Sequence, residues 1–223
     1  MILFIILSII LGYIVGSLPT ALIIGKLTQG IDIREHGSKN LGATNAGRVL
    51  GKKYFFIVMT IDAIKCIIGI LISYLLFILF FNNLDSNIYT IGLSCAGTFA
   101  MIGHCYPLFA NFKGGKGVAT ALGYLLLTSP LCGLSVVISF LIIVLIKRYI
   151  SLGSIIGAIV AIIYSWLMYF LFKENYSIML LGLTNNLGYV IITTIFALVV
   201  IIKHKENIHR LINKEEKVFK FKK

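Results

Sequence analysis

Seven apolar stretches separated by short polar ones dominate this chain and leave it few ways to fold. They run approximately over residues 1–25, 54–81, 88–110, 118–128, 131–146, 152–172 and 177–202. In hydrocarbon such a run satisfies its own backbone N–H and C=O groups only as a helix. A membrane β-barrel would alternate apolar and polar residues, and that period is absent. With 59% hydrophobic and 13% charged residues, the chain is too apolar for a water-soluble globule. The expected fold is all-α, a polytopic integral membrane protein. The first stretch, MILFIILSIILGYIVGSLPTALIIG, has no basic front end and no small-residue cleavage site, so it reads as a retained helix. Ser17-Leu18-Pro19 should kink it.

The number of spans turns on residues 118–146. As one helix they would be ~43 Å long; as two, the first would rise only ~17 Å against a hydrocarbon core of ~30 Å. Thr128-Ser129-Pro130 at the centre is a plausible turn. Charge favours two segments. Seven spans, with the amino terminus outside and the carboxyl terminus cytoplasmic, put 18 of the 20 lysines and arginines on the inner side, leaving out only Lys65 and Lys173. One long helix would strand whole basic loops on the wrong face. The net charge of +12 is thereby explained by orientation, without nucleic acid as a partner. The organisation expected is a transmembrane domain over 1–202 and a basic cytoplasmic extension over 203–223.

This topology gathers the unusual polar stretches at one face. GSKNLGATNAGR (37–48) combines turn-forming glycines with Ser38, Asn40, Thr44 and Asn45, and ends on Arg48, whose planar fork suits a phosphate or carboxylate. It can form an anion-binding nest or simply connect two helices, capped at Ser38 or Thr44. NFKGGKGVAT (111–120) superficially resembles a Walker A loop, but Ala110 and Gly117 stand where that motif needs Gly and Ser or Thr. Nucleotide hydrolysis is therefore not expected. Its glycines and Lys113 or Lys116 still suit an anion, unless they are only positive-inside lysines on a flexible turn. In KHKENIHR (203–210), His204 and Asn207 share a helix face if the helix continues, offering a proton-exchanging imidazole and an amide donor. Asp62 and Lys65, one turn apart, read as a structural pair, and His104 as a boundary anchor. The four cysteines have no metal or redox spacing and read as small packing residues.

Together GSKNLGATNAGR, GHCYPLFANFKGGKGVATALG, KRYISLGS and KHKENIHRL resemble, in order and spacing, the motifs of the acyl-phosphate-dependent glycerol-3-phosphate acyltransferases, the PlsY family. The resemblance spans about residues 12–213. It implies a seven-helix membrane enzyme that moves a fatty acyl group from acyl phosphate to the 1-hydroxyl of sn-glycerol 3-phosphate. The products would be lysophosphatidic acid and phosphate, formed at the cytoplasmic face of the bacterial cell membrane. It further implies catalytic roles for His204, Asn207, Ser38 and Arg48. Substrate contacts are implied at Asn40, Gly42, Thr44, Asn45, Lys113, Gly114, Gly115, Lys116, Gly117 and Ser154. No metal and no cofactor are implied; the partners are the two substrates and membrane lipids, and a monomer is compatible with all of this. Two positions depart from the pattern: Lys39 stands where glycine is usual, and Lys205 where arginine is.

The chemistry fits those residue types. Two phosphorylated reactants need matched positive charge, and a close opposite charge offers ~4 kcal/mol at an effective dielectric of ~20 before desolvation. An acyl phosphate is already activated, so placement, an oxyanion site and a proton acceptor suffice. His204 or a substrate phosphate can take the proton, and Asn207 or loop N–H groups can serve the oxyanion. A non-catalytic binder or transporter of phosphorylated lipids would use the same basic pocket, but the outer loops offer no matching polar stretch.

Overall fold

The structure, a computed structural model, describes residues 1–172, 181, 183 and 186–218. Ten α-helices and two single 3-10 turns are present among them, and no strand. α1 (Ile2–Gly16) and α2 (Thr20–Gln29) form one long apolar stretch interrupted at residues 17–19. α3 (Ala43–Val49) is short and belongs to the first polar loop. α4 (Lys52–Phe80) and α5 (Ser86–Cys105) follow, then α6 (Val118–Thr128), α7 (Pro130–Lys147), α8 (Ile150–Phe172), α9 (Leu187–Lys203) and α10 (Lys205–Ile212).

Five of these stretches are long and apolar enough to cross a bilayer, and a sixth is if α9 and α10 count as one bent span. α6, with 11 residues, is apolar but short. The break at residue 129 falls where the sequence suggests. Ser129 has non-helical backbone angles, and Pro130 opens α7 at the position where a missing N–H costs nothing. α9 begins at Leu187, later than the apolar run suggests, because the Asn186 side chain caps it by accepting from the Tyr189 N–H at 2.8 Å. Residues 173–180, which contain Lys173 and the expected outer loop, lie outside the described residues.

The outward faces are hydrophobic at helical spacing. Ile6, Ile10 and Ile14 on α1, Ile138, Leu141 and Leu145 on α7, and Ile159, Ile163 and Leu167 on α8 are all exposed. In water such patches would drive aggregation; against lipid tails they are the expected surface. Inside, α5 is the most enclosed helix and touches α1, α4, α6 and α9. Side chains such as Leu93, Met101, Tyr124 and Phe196 fill the core around it.

Small residues decide how closely the helices approach. Phe4, Ser8, Gly12 and Gly16 form the buried face of α1, four residues apart. A Cβ on Gly12 would run into the Ala96 carbonyl oxygen, and one on Gly16 into that of Ala100. Because the obstacle is backbone, no side chain can move aside. Gly16→Val is therefore expected to destabilise the protein by at least ~2 kcal/mol. Thermal unfolding in detergent would show this as a clearly lowered midpoint or as loss of folded protein. An unchanged midpoint would mean that the two helices are not in backbone contact.

The break between α1 and α2 frees a carbonyl for a distant partner. Pro19 cannot donate a backbone hydrogen bond, and the Leu18 carbonyl, turned out at the break, accepts from Lys65 Nζ at 2.9 Å. Lys65 also pairs with Asp62 at 2.9 Å, and both side chains are buried. Thr20 Oγ1 donates to Asp62 Oδ1 at 2.8 Å, and His104 Nδ1 lies 3.0 Å from Lys65 Nζ. The expected Asp62–Lys65 pair is thus part of a larger polar cluster joining α1, α2, α4 and α5.

Candidate active site

A cavity of about 370 Å³ opens where α3, the 116–118 turn, the start of α8 and the α9–α10 junction meet. Its polar end holds Ser38, Asn40, Gly42, Thr44, Asn45, Arg48, Lys116, Gly117, Ser154, His204 and Asn207. The rest of the wall is mostly hydrocarbon, from residues such as Phe55, Met59, Leu122, Val136, Phe140 and Phe196. Four polar segments far apart in sequence therefore share one space with an apolar lining.

The first loop is shaped from within. Gly37 and Lys39 both adopt left-handed backbone conformations, with φ of 62° and 60°. A non-glycine residue pays roughly 1–2 kcal/mol there, which explains the glycine usual at position 39 in the resembling motif. Lys39 nevertheless keeps the turn. Asn45 holds it: its Oδ1 accepts from the Ser38 N–H at 2.7 Å, and its Nδ2 donates to the carbonyls of Ile33 and His36. Asn45 therefore lines the cavity but spends its amide on the loop. Ser154 is similarly engaged, donating to the Ile150 carbonyl at 2.9 Å.

The second loop divides in two. Lys116 and Gly117 face the cavity; Lys113, Gly114 and Gly115 do not. Lys113 is exposed in a separate surface depression with Asp32, Arg34, Glu35, Lys39 and Asn111. Gly115 N–H donates to the His104 carbonyl at 3.0 Å, and a Cβ on Gly115 would strike the His104 ring. A Cβ on Gly114 would meet the carbonyls of His104 and Cys105 and the Pro107 ring. These two glycines serve close packing on the end of α5, which then presents Lys116. A glycine that admits a ligand and one that admits a neighbour look identical in sequence.

The last segment does not continue straight, as assumed for a shared face of His204 and Asn207. α9 and α10 meet at 56°, with His204 at the junction. His204 Nδ1 bonds to the Val200 carbonyl at 2.8 Å, and a carbonyl can only accept, so Nδ1 carries the hydrogen. Nε2 is left with a free lone pair. Burial, and then the Lys116 charge, push the His204 pKa down to about 4, so the ring is neutral at pH 7. Burial, and then the Arg210 charge, bring Lys116 down to about 8.

Four polar lining residues were not singled out from sequence: Ser151, Arg210, Glu216 and Lys217. The chain beyond α10 turns back so that Glu216 accepts from Ser151 Oγ at 2.8 Å, Asn207 Nδ2 at 2.7 Å and Arg210 Nε at 2.9 Å. Burial opposes the Glu216 charge, but the bonds from Arg210, Asn207 and Ser151 outweigh it and hold its pKa below the usual value. Asn207 Oδ1 in turn accepts from Lys116 Nζ. Asn207 thus bridges the tail to the lysine. A basic motif count would reveal Arg210, but nothing local marks Glu216.

A helical bundle with hydrocarbon outward faces and a cavity that pairs clustered cations with an apolar wall defines a multi-pass membrane protein with an amphiphilic site. The chain belongs to the glycerol-3-phosphate acyltransferase family, whose family model matches residues 6–214. It is 40% identical to the glycerol-3-phosphate acyltransferase of Bacillus subtilis (strain 168) over 210 residues, covering 94% of this chain and 95% of the relative. It is 38% identical to that of Listeria monocytogenes serovar 1/2a over 213 residues, covering 95% of both. Among solved structures it resembles PlsY, an integral membrane glycerol 3-phosphate acyltransferase. Against the glycerol 3-phosphate form the TM-score is 0.80 with 34% identity, covering 97% of this chain and 96% of that one. Against the lysophosphatidic acid form the TM-score is 0.78 with 33% identity, covering 97% and 95%. Glu216 lies just beyond the family match.

Proposed function

We propose that this protein transfers a fatty acyl group from acyl phosphate to the 1-hydroxyl of sn-glycerol 3-phosphate, yielding lysophosphatidic acid and phosphate for phospholipid synthesis. The observation that carries the reading is the shared cavity, in which Arg48 and Lys116 face the same space as an apolar wall. Family membership over nearly the whole chain, and PlsY structures in glycerol 3-phosphate and lysophosphatidic acid forms, support it.

In this reading Arg48, Lys116 and Arg210 hold phosphate, and the apolar wall receives the acyl tail. His204 Nε2 takes the proton of the attacking hydroxyl, its tautomer set by the Val200 carbonyl. One N–H of Asn207 is donated to Glu216, so the donors left for the developing oxyanion are its second N–H, the Ser38 hydroxyl and first-loop N–H groups other than that of Ser38, which Asn45 accepts. Seven spans, with the amino terminus outside, place the site at the cytoplasmic face of the cell membrane. The support is the charge distribution and the separate α6 and α7.

The test is to supply the purified protein with acyl phosphate and glycerol 3-phosphate, with acyl-CoA in parallel, and to measure lysophosphatidic acid. Product from acyl phosphate alone is expected. Lys116 must be protonated to hold phosphate, and its charge is lost as pH rises through about 8. kcat/KM for glycerol 3-phosphate should therefore fall above about pH 8, and Lys116→Arg should move that decline upward. No product from acyl phosphate at any pH would end the reading.

A further inference from the structure

One carboxylate oxygen in the cavity wall has no donor. Asp62 lines the cavity and is 1% exposed. Its Oδ1 is crowded with partners: Thr20 Oγ1 at 2.8 Å, Lys65 Nζ at 2.9 Å and His104 Nδ1 at 3.5 Å. Its Oδ2 is buried with no hydrogen-bond partner in the protein. Buried polar atoms are almost always paired, and a carboxylate oxygen more urgently than most. Lys65 already balances the charge through Oδ1, so the structural role of the pair leaves Oδ2 unexplained. The cavity that Asp62 lines is the space from which a bound molecule can bring a donor to it.

Charge selects what that donor can be. A phosphate would be repelled by Asp62 and drawn to Arg48 and Lys116. A neutral hydroxyl, which can donate, suits a carboxylate oxygen. Building on the acyl-transfer reading, we infer that Asp62 is a substrate-binding residue whose Oδ2 accepts the hydrogen bond of the 2-hydroxyl of glycerol 3-phosphate. The phosphate then lies toward Arg48 and Lys116, the 1-hydroxyl meets His204, and the middle hydroxyl is anchored at Asp62. Recognition of the alcohol and of the phosphate are thereby assigned to opposite charges in one cavity.

The experiment compares two acceptors, glycerol 3-phosphate and 3-hydroxypropyl phosphate, which keeps the primary hydroxyl and the phosphate but lacks the middle hydroxyl. Wild-type protein should prefer glycerol 3-phosphate in kcat/KM by about tenfold or more, the worth of a hydrogen bond to a charged group. In Asp62→Asn, the amide oxygen faces Lys65 and the NH₂ faces the cavity, where it can donate to the middle hydroxyl but not accept from it; the charge-assisted bond becomes a neutral one and the preference should fall severalfold. Asp62→Glu keeps a charge for Lys65 but displaces the oxygens, and should lose the preference as well. Thr20→Val removes only a partner of Oδ1 and should retain it. If wild-type uses both alcohols equally, or if either Asp62 variant slows both to the same degree, the inference is overturned. If wild-type acylates neither alcohol, the acyl-transfer reading itself has failed.

Discussion

Arg48→Ala is expected to lower kcat/KM for glycerol 3-phosphate by roughly a hundredfold or more, in a protein that still folds and inserts. Arg48 lies on the short α3 at the cavity's polar end, where its guanidinium is partly desolvated. A partly buried cation aimed at a phosphate contributes more than the same charge in water, because the cavity screens it less. Its loss leaves Lys116 and Arg210 to face the substrate's charge alone. Arg48→Lys should recover only part of the activity, since an ammonium cannot present two parallel donors to one phosphate. Steady-state rates of lysophosphatidic acid formation, with circular dichroism to verify folding, would measure this. Rates within about threefold of wild-type for Arg48→Ala would remove Arg48 from the site.

His204→Ala should act on a different constant. If Nε2 accepts the hydroxyl proton, kcat falls by ~10²- to 10⁴-fold while KM for glycerol 3-phosphate changes much less. With its pKa at about 4, His204 is the free base throughout the neutral range in the free protein, so wild-type kcat/KM should show no limb near pH 6.5 arising from this ring. His204→Gln, which retains a hydrogen-bonding side chain but not a comparable base, should stay close to the alanine variant. An alanine variant with near-normal kcat would instead assign the proton to a substrate phosphate.

Much of the architecture is legible along the chain because its signals are local. Pro130 and its polar neighbours mark the break between α6 and α7, and Ser17-Leu18-Pro19 marks the one between α1 and α2. Arg48, Lys116 and His204, expected from sequence as site residues, all line the cavity, and each carries a functional group with few other reasons to border an apolar space. Gly114, Gly115 and Lys113 stand beside Lys116 in the motif to which the resemblance assigns substrate contacts. A chain that turns tightly can send neighbours in opposite directions, and here two glycines go to the end of α5 while Lys113 goes to the surface. Asn45 shows another limit. An amide in a polar loop looks free for a ligand until the turn consumes its donors and acceptor.

Hydropathy, charge placement and motif order by themselves determined the helical membrane class, most helix breaks and the polar segments from which the site is drawn. Each depends on groups within a few residues of one another or on the solvent that a run of side chains can tolerate. Only the tertiary structure decided that Glu216 returns across 65 positions to bond Ser151, that α10 bends away at His204, and that one Asp62 oxygen is left without a donor. Those outcomes follow from long-range packing, where a side chain's partners are chosen by which helices meet rather than by which residues adjoin it.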